Sequence, residues 1–304
     1  MMIENSMIGI FVGDALGAQV EFKSKERIRS YFEEKGDFDM YDGGTFNLVK
    51  GQVTDDSEMA IALIRSFEEM KGDYDSNIAR KWYKKWLSSS PFDYGITTSN
   101  ALWYDEYNYN SQANGALMRC APLAWKYRNR SLSYLMKVAE EDCKITHPNK
   151  VCIDANKVYL AIMYFMMHGY MPCKAYNAVC DELFFRNYDI CMVIQETMEL
   201  AKFKNEKDFV TNQGWVLIAL HNALYHLWNY TDFEDAIKET IFSGGDTDTN
   251  ACICGALIAM CKEVPQKWHR IVKSCEPDKS VRHSRPAWLW TSKWNELMKI
   301  IERD

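Results

Sequence analysis

The sequence predicts a nearly all-α fold in one domain spanning residues 1–304, on three observations. Apolar residues recur at three- and four-residue steps through most of the chain, the mark of helices with one buried face. Alternating β-branched runs of strand length are almost absent. No low-complexity linker, solenoid-period repeat or shift in composition divides the chain. Hydrophobic residues make up 47% and charged residues 26%, a globular balance that excludes a disordered or fibrous protein.

In chain order, residues 3–20 carry Met7, Ile8, Ile10, Phe11, Ala15, Leu16 and Ala18 at helical spacing. Gly9, Gly13 and Gly17 fall on one side of that helix, which reads as close helix packing. Asp14 and Glu21 are acids on and beyond a glycine-lined helix, where both could face a site. Residues 23–50 lose the period and read as a loop with one short helix, a candidate lid or site wall. Thr54, Asp55, Asp56 and Ser57 then precede the apolar run from Met59 to Ile64, a hydroxyl and two carboxylates at a helix start. Further helices are expected near 76–87, 96–108, 131–145, 151–168, 173–184, 189–203, 207–228, 232–241 and 287–302, with breaks at Pro91, Pro148, Gly169 and Pro172.

Between these lies Gln112 to Arg119, where Asn114-Gly115 opens a helix and offers backbone N–H groups suited to an anion such as a pyrophosphate. A plain turn has the same sequence. Thr146, His147 and Pro148 end a helix, a place where histidine commonly serves the helix dipole. Ser243 to Thr249, SGGDTDT, delivers Asp246, Thr247, Asp248 and Thr249 to the first turn of a helix that is apolar from Ala251 to Cys261. Oxygen ligands in this pattern suit a hard cation such as Mg²⁺ or Mn²⁺, although Asp and Thr are also ordinary helix caps. An EF-hand is excluded, because Ala251 and Leu257 stand where it needs glycine and glutamate.

The net charge of −6 and the lack of a Lys/Arg block argue against nucleic acid as partner. Ten scattered cysteines without CxxC or zinc spacing read as reduced, buried thiols of a cytoplasmic protein. No signal peptide and no run near eighteen apolar residues appears, so no membrane is expected as partner.

Taken together, GDALGAQVEF at 13–22, TDDS at 54–57, NGALMR at 114–119, TH at 146–147 and GGDTDT at 244–249 resemble the ADP-ribosylglycohydrolase family in order and approximate spacing. The resemblance implies a compact helical domain with two Mg²⁺ or Mn²⁺ ions in a central cleft. It assigns Thr54, Asp55, Asp56, Asp246, Asp248 and Thr249 as metal ligands. Asp56 or Glu21 would transfer the proton, with Asp55 beside them chiefly as a ligand. Asn114, Gly115 and Met118 would hold pyrophosphate and ribose, His147 would approach the nucleotide, and Gly244 and Gly245 would line the substrate site. Ser57 departs from the threonine of many relatives but keeps the hydroxyl. Arg119 could pair a phosphate or serve as a structural ion-pair partner.

The forms GDALGAxVEF and NGxxMR look most like dinitrogenase reductase activating glycohydrolases and ADP-ribosylarginine hydrolases. The implied substrate is an ADP-ribosylated protein, cleaved at the N-glycosidic bond to arginine with ADP-ribose as product. The alternatives are hydrolysis of O-linked ADP-ribose, on serine or as O-acetyl-ADP-ribose, and a non-catalytic ADP-ribose-binding module. A nucleotide-dependent transferase or kinase would need a GxxxxGK[ST] loop or GxGxxG turn, and neither is present.

Overall fold

A computed structural model of the chain describes residues 2–184, 189–203 and 208–303. Its centre is a pair of antiparallel helices, α1 (Met2–Gly17) and, late in the chain, α13 (Thr247–Ile258), both buried along almost their whole length. The four-residue glycine spacing determines how closely they pack. A Cβ built on Gly9, Gly13 or Gly17 would lie 2.3, 2.1 or 2.4 Å from the carbonyl oxygens of Gly255, Ala251 and Thr247 respectively. Ser6 Oγ donates to Ala256 O at one end of this seam (2.6 Å) and Thr247 Oγ1 donates to Gly17 O at the other (2.7 Å). The seam brings the C-terminal end of α1, and Glu21 just beyond it, onto the first turn of α13.

The other helices wrap this pair. α2 (Lys25–Lys35) is capped by Ser24, whose side chain accepts from Arg27 N, and stops at Gly36 with φ 94°. α3 (Asp55–Ser66) follows, then α4 (Ser76–Leu87), capped by Asp75, and α5 (Ile96–Tyr104). After them come α6 (Ala121–Lys126), α7 (Leu132–Cys143), capped by Ser131, and α8 (Lys150–Met167), capped by Asn149. α9 (Pro172–Val179) runs into a π-turn over Cys180–Phe184, and α10 (Met192–Ala201), α11 (Val216–Trp228) and α12 (Phe233–Phe242) lead to α13. α14 (Gln266–Lys273) and α15 (Trp294–Glu302) close the chain. The described residues contain no strand, only isolated bridges such as Ala113 with Trp215. No described helix is long and apolar enough to cross a membrane, and all ten cysteines are free.

Several helices are shorter than the periodicity predicts. The one expected over 96–108 ends at Tyr104, where Asp105 takes a left-handed φ of 57° and its N–H donates back to Asn100 O. The one expected over 207–228, whose first residue lies outside the described ones, begins only at Val216, because the preceding residues form turns and pair with Gln112 to Asn114. The stretch 287–302 opens with two 3₁₀ turns, separated by the extended Trp290, before α15. Asn114-Gly115 does not open a helix. Asn114 is held from outside, its N–H donating to Gly214 O (3.0 Å), so residues 115–119 form turns and the helix starts at Ala121.

The expected loop over 23–50 does hold one helix, α2, and is tied down by Gln19. That side chain donates to Leu16 O and Asp39 O and accepts from Tyr31 Oη and Tyr41 N, while the Gln19 backbone carbonyl accepts from Thr45 N.

Candidate active site

Two helix starts, distant in sequence, meet under the end of α1. Thr54 precedes α3 but does not cap it with its side chain; Thr54 Oγ1 donates instead to Asp14 Oδ1 (3.0 Å) and Asp56 Oδ2 (3.1 Å). Asp14 also accepts from Thr54 N, Ser57 N and Ser57 Oγ. Both its oxygens are therefore saturated, so Asp14 braces the α3 N-terminus against α1 and does not itself face the cleft. Ser57 keeps this bond through the hydroxyl that distinguishes it from alanine.

Across from α3, Asp246 and Asp248 sit at the start of α13. Asp246 Oδ2 accepts from Asn114 Nδ2 (2.7 Å) and Asp248 Oδ1 from Thr249 N (3.0 Å). One carboxylate oxygen each of Asp14, Asp56 and Asp248 lie within 4.8 Å of one another, and so do those of Glu21, Asp246 and Asp248. Asp248 belongs to both groups.

A cleft of about 350 Å³ opens beside this cluster. Nine residues singled out in the sequence line it: Glu21, Asp55, Asn114, Gly115, Met118, His147, Asp246, Asp248 and Thr249. Thr54 and Asp56 are buried outside its lining. Gly244 and Gly245 are not on its wall either. Both have positive φ, and Gly245 passes so close to Phe209 O that any Cβ would collide with it, while Gly245 O accepts from Phe22 N (3.0 Å). These glycines join the turn before α13 to the chain after Glu21.

Arg119 is completely buried, paired with Asp142 and stacked over Tyr83, so it has the structural role of the two open to it. Asp93, Tyr94, Gln213 and Gly214 line the cleft without having been picked from sequence. The one local signal for Asp93 was its place between Pro91 and Gly95, in a short connection just before a helix.

The electrostatics of the cleft are one-sided. Glu21, Asp55, Asp93, Asp246 and Asp248 line it, and no Lys or Arg does. Burial, reinforced by the charges of Asp246, Asp93 and Asp55, pushes Glu21 up to about 10. Burial and then Asp246 push Asp93 up to about 6. Burial also raises Asp55, Asp56, Asp246 and Asp248, with neighbouring carboxylates adding to it at Asp55, Asp56 and Asp248. Glu21 Oε2 and Asp56 Oδ1 are buried and have no hydrogen-bond partner.

Such a cluster needs protons or cations to offset its charge, and an all-oxygen donor set with spare lone pairs fits a hard divalent cation. His147 is buried, its Nδ1 2.7 Å from Thr146 Oγ1, and burial with the nearby Arg119 charge pulls it down to about 3, so it is neutral at pH 7. Its ring packs against Gly115, where a Cβ would lie 3.0 Å from Cε1.

The ADP-ribosylglycohydrolase family model matches residues 3–292 of the chain. The chain belongs to the ADP-ribosylglycohydrolase family. It is similar to a protein of Acanthamoeba polyphaga mimivirus described as a candidate ADP-ribosyl glycohydrolase, 29% identical over 302 residues that cover 90% of this chain and 91% of that one. It is also similar to the ADP-ribosylarginine hydrolase Tri1 of Serratia proteamaculans, 27% identical over 286 residues covering 87% of this chain and 73% of that one. A solved structure described as an ADP-ribosylglycohydrolase-related protein complex shares the fold, with a TM-score of 0.75 and 22% identity over 99% of this chain and 95% of that one. ADP-ribosylglycohydrolase membership accounts for the helical architecture.

Proposed function

We propose that this chain is a hydrolase that releases ADP-ribose from ADP-ribosylated protein, cleaving the N-glycosidic bond to arginine, with two Mg²⁺ or Mn²⁺ ions as cofactors. The observation that carries this reading is the convergence of carboxylates from just beyond α1 (Glu21) and from the starts of α3 and α13 beside a cleft wall that includes the Asn114-Gly115 turn and no Lys or Arg. Asp55, Asp56, Asp246 and Asp248, with the Thr54 and Thr249 hydroxyls, would hold the ions. The cations would offset the carboxylate charge and polarise the ribose hydroxyls.

The chain's own groups supply binding, orientation and proton transfer. Asn114 is pinned by its bonds to Gly214 O and Asp246, which orients the turn that would receive pyrophosphate and ribose. Neutral His147, seated on Gly115, can contact the nucleotide without adding charge. In hydrolysis, water adds to the anomeric carbon as the bond to the acceptor nitrogen breaks, through an oxocarbenium-like transition state. With bound cations offsetting the neighbouring charge, Glu21 or Asp56 in its ionised form would take the proton from that water and pass it to the acceptor nitrogen, which leaves protonated. Within the acid cluster these two residues carry the buried carboxylate oxygens with no partner, available for that exchange.

Arginine is supported by two considerations. The Serratia relative is named as an ADP-ribosylarginine hydrolase. A cleft lined by Asp93 and its neighbours with no cation also suits a positively charged guanidinium, which carboxylates bind through paired hydrogen bonds. Serine would offer neither charge nor planar donors. Matched synthetic peptides modified on arginine or on serine test this directly: the arginine peptide should be hydrolysed faster, and turnover of the serine peptide alone would overturn the assignment.

A further inference from the structure

The segment from Tyr94 to Tyr109 exposes an unusual amount of apolar surface. Ile96 is 77% accessible, Tyr104 68% and Trp103 49%. Along α5, Ile96, Asn100, Trp103 and Tyr104 fall at i, i+4, i+7 and i+8, on one face of the helix, whereas Thr98, Ala101 and Leu102 are buried beneath. Contiguous exposed apolar surface of this kind marks an interaction site more often than chance.

The platform is also held firmly. Arg80 Nη2 donates to Ala101 O (2.7 Å) and pairs with Asp105, and its Nη1 donates to Tyr107 Oη (2.8 Å). Thr97 Oγ1 and Ser111 Oγ share a hydrogen bond (3.0 Å). A preorganised surface loses little entropy when a partner binds.

The start of this face continues the catalytic cleft, and Trp103 and Tyr104 follow the groove residue Asn100 at i+3 and i+4, beside the groove rather than in its lining. Ile96 and Thr97 line both that cleft and a groove of about 310 Å³ that runs on past Asn100, Glu106, Tyr107 and Asn108. The groove is acidic: Glu106 is exposed and has no ion pair among the described residues, and Asp93 lies at the cleft end.

We propose that the α5 groove docks the polypeptide bearing the modified side chain, and that it favours a segment with an aromatic residue and a Lys or Arg near the modification. From Ile96 to Trp103 the helix rises roughly 10 Å. An extended peptide covers that distance in about three residues. The favoured positions are therefore about three residues from the modified arginine. This inference rests on the hydrolase reading above.

The test uses three substrates: free ADP-ribosyl-arginine, an ADP-ribosyl-arginine peptide with Trp and Lys three residues away on both sides, and the same peptide with Ser and Glu there. Wild type should prefer the Trp/Lys peptide about tenfold in kcat/KM, the scale of an aromatic anchor. The double variant Trp103→Ala/Tyr104→Ala should lose that preference through KM, and Glu106→Lys should lose the part contributed by lysine. Both variants should turn over free ADP-ribosyl-arginine at the wild-type rate. Equal losses on the free compound and the peptide, or no discrimination by wild type, would overturn the docking groove. If wild type hydrolyses none of the three, the hydrolase reading fails and the groove assignment with it.

Discussion

Replacing Gly13 by alanine should disturb the fold and the site together. The added Cβ would stand 2.1 Å from Ala251 O, against an ordinary contact that begins at 3.4 Å. The obstacle is backbone, so no side chain can move aside; α1 and α13 must separate by roughly 1 Å or bend. Overpacking on this scale costs about 3 kcal/mol. For a chain of this length that lowers Tm by about 5 °C. Because α13 carries Asp246 and Asp248, the same displacement shifts the acid cluster, and an error of about 1 Å at a reacting centre can reduce turnover ~100-fold.

Ser6→Ala is the control. It removes the bond to Ala256 O at the far end of the same seam, costs about 1 kcal/mol and should leave turnover unchanged. Thermal unfolding and ADP-ribose release measured on both variants decide the matter. A Gly13→Ala protein with wild-type Tm and activity would refute the close α1–α13 packing as the device that positions the site.

Two further outcomes follow from the buried charges. Asp14 and Asp93, raised to about 6, and Glu21, raised to about 10, bind protons more readily in the folded than in the unfolded chain. Their stabilising contribution is full below about pH 4 and is lost as pH rises through 6 and on towards 10. The Tm of EDTA-treated protein should therefore fall from pH 5 to pH 8, and Mg²⁺ or Mn²⁺ should restore it at pH 8; a Tm that rises over that range without metal would contradict the charge assignment. Glu58→Gln leaves Arg285 buried without its bidentate partner (2.7 and 2.8 Å), and denaturant titration should show a loss of about 3–5 kcal/mol.

What could be read from the sequence was local. The Thr54–Ser57 and Asp246–Thr249 clusters fall at helix beginnings, as their composition indicates. The glycine spacing of α1 identified a close contact but not its partner, since Gly255 and Ala251 lie more than two hundred residues away. Asp93 escaped notice because it precedes α5 without a helix-start pattern and acquires meaning only beside Asp246 and Glu21. Asp14 was noticed as a candidate for facing the site, yet its oxygens are consumed by Thr54 and Ser57, an arrangement that no spacing encodes. The helices expected too long have different causes: Asp105 in a left-handed conformation ends α5, and the pairing of Ala113 with Trp215 delays the start of α11.

The most direct test of the account is release of free ADP-ribose from an arginine-ADP-ribosylated protein, measured with Mg²⁺, with Mn²⁺ and with EDTA, for wild type and Asp246→Asn. The account predicts release that requires a divalent cation and is lost in the variant. Release that persists in EDTA and in Asp246→Asn would contradict it.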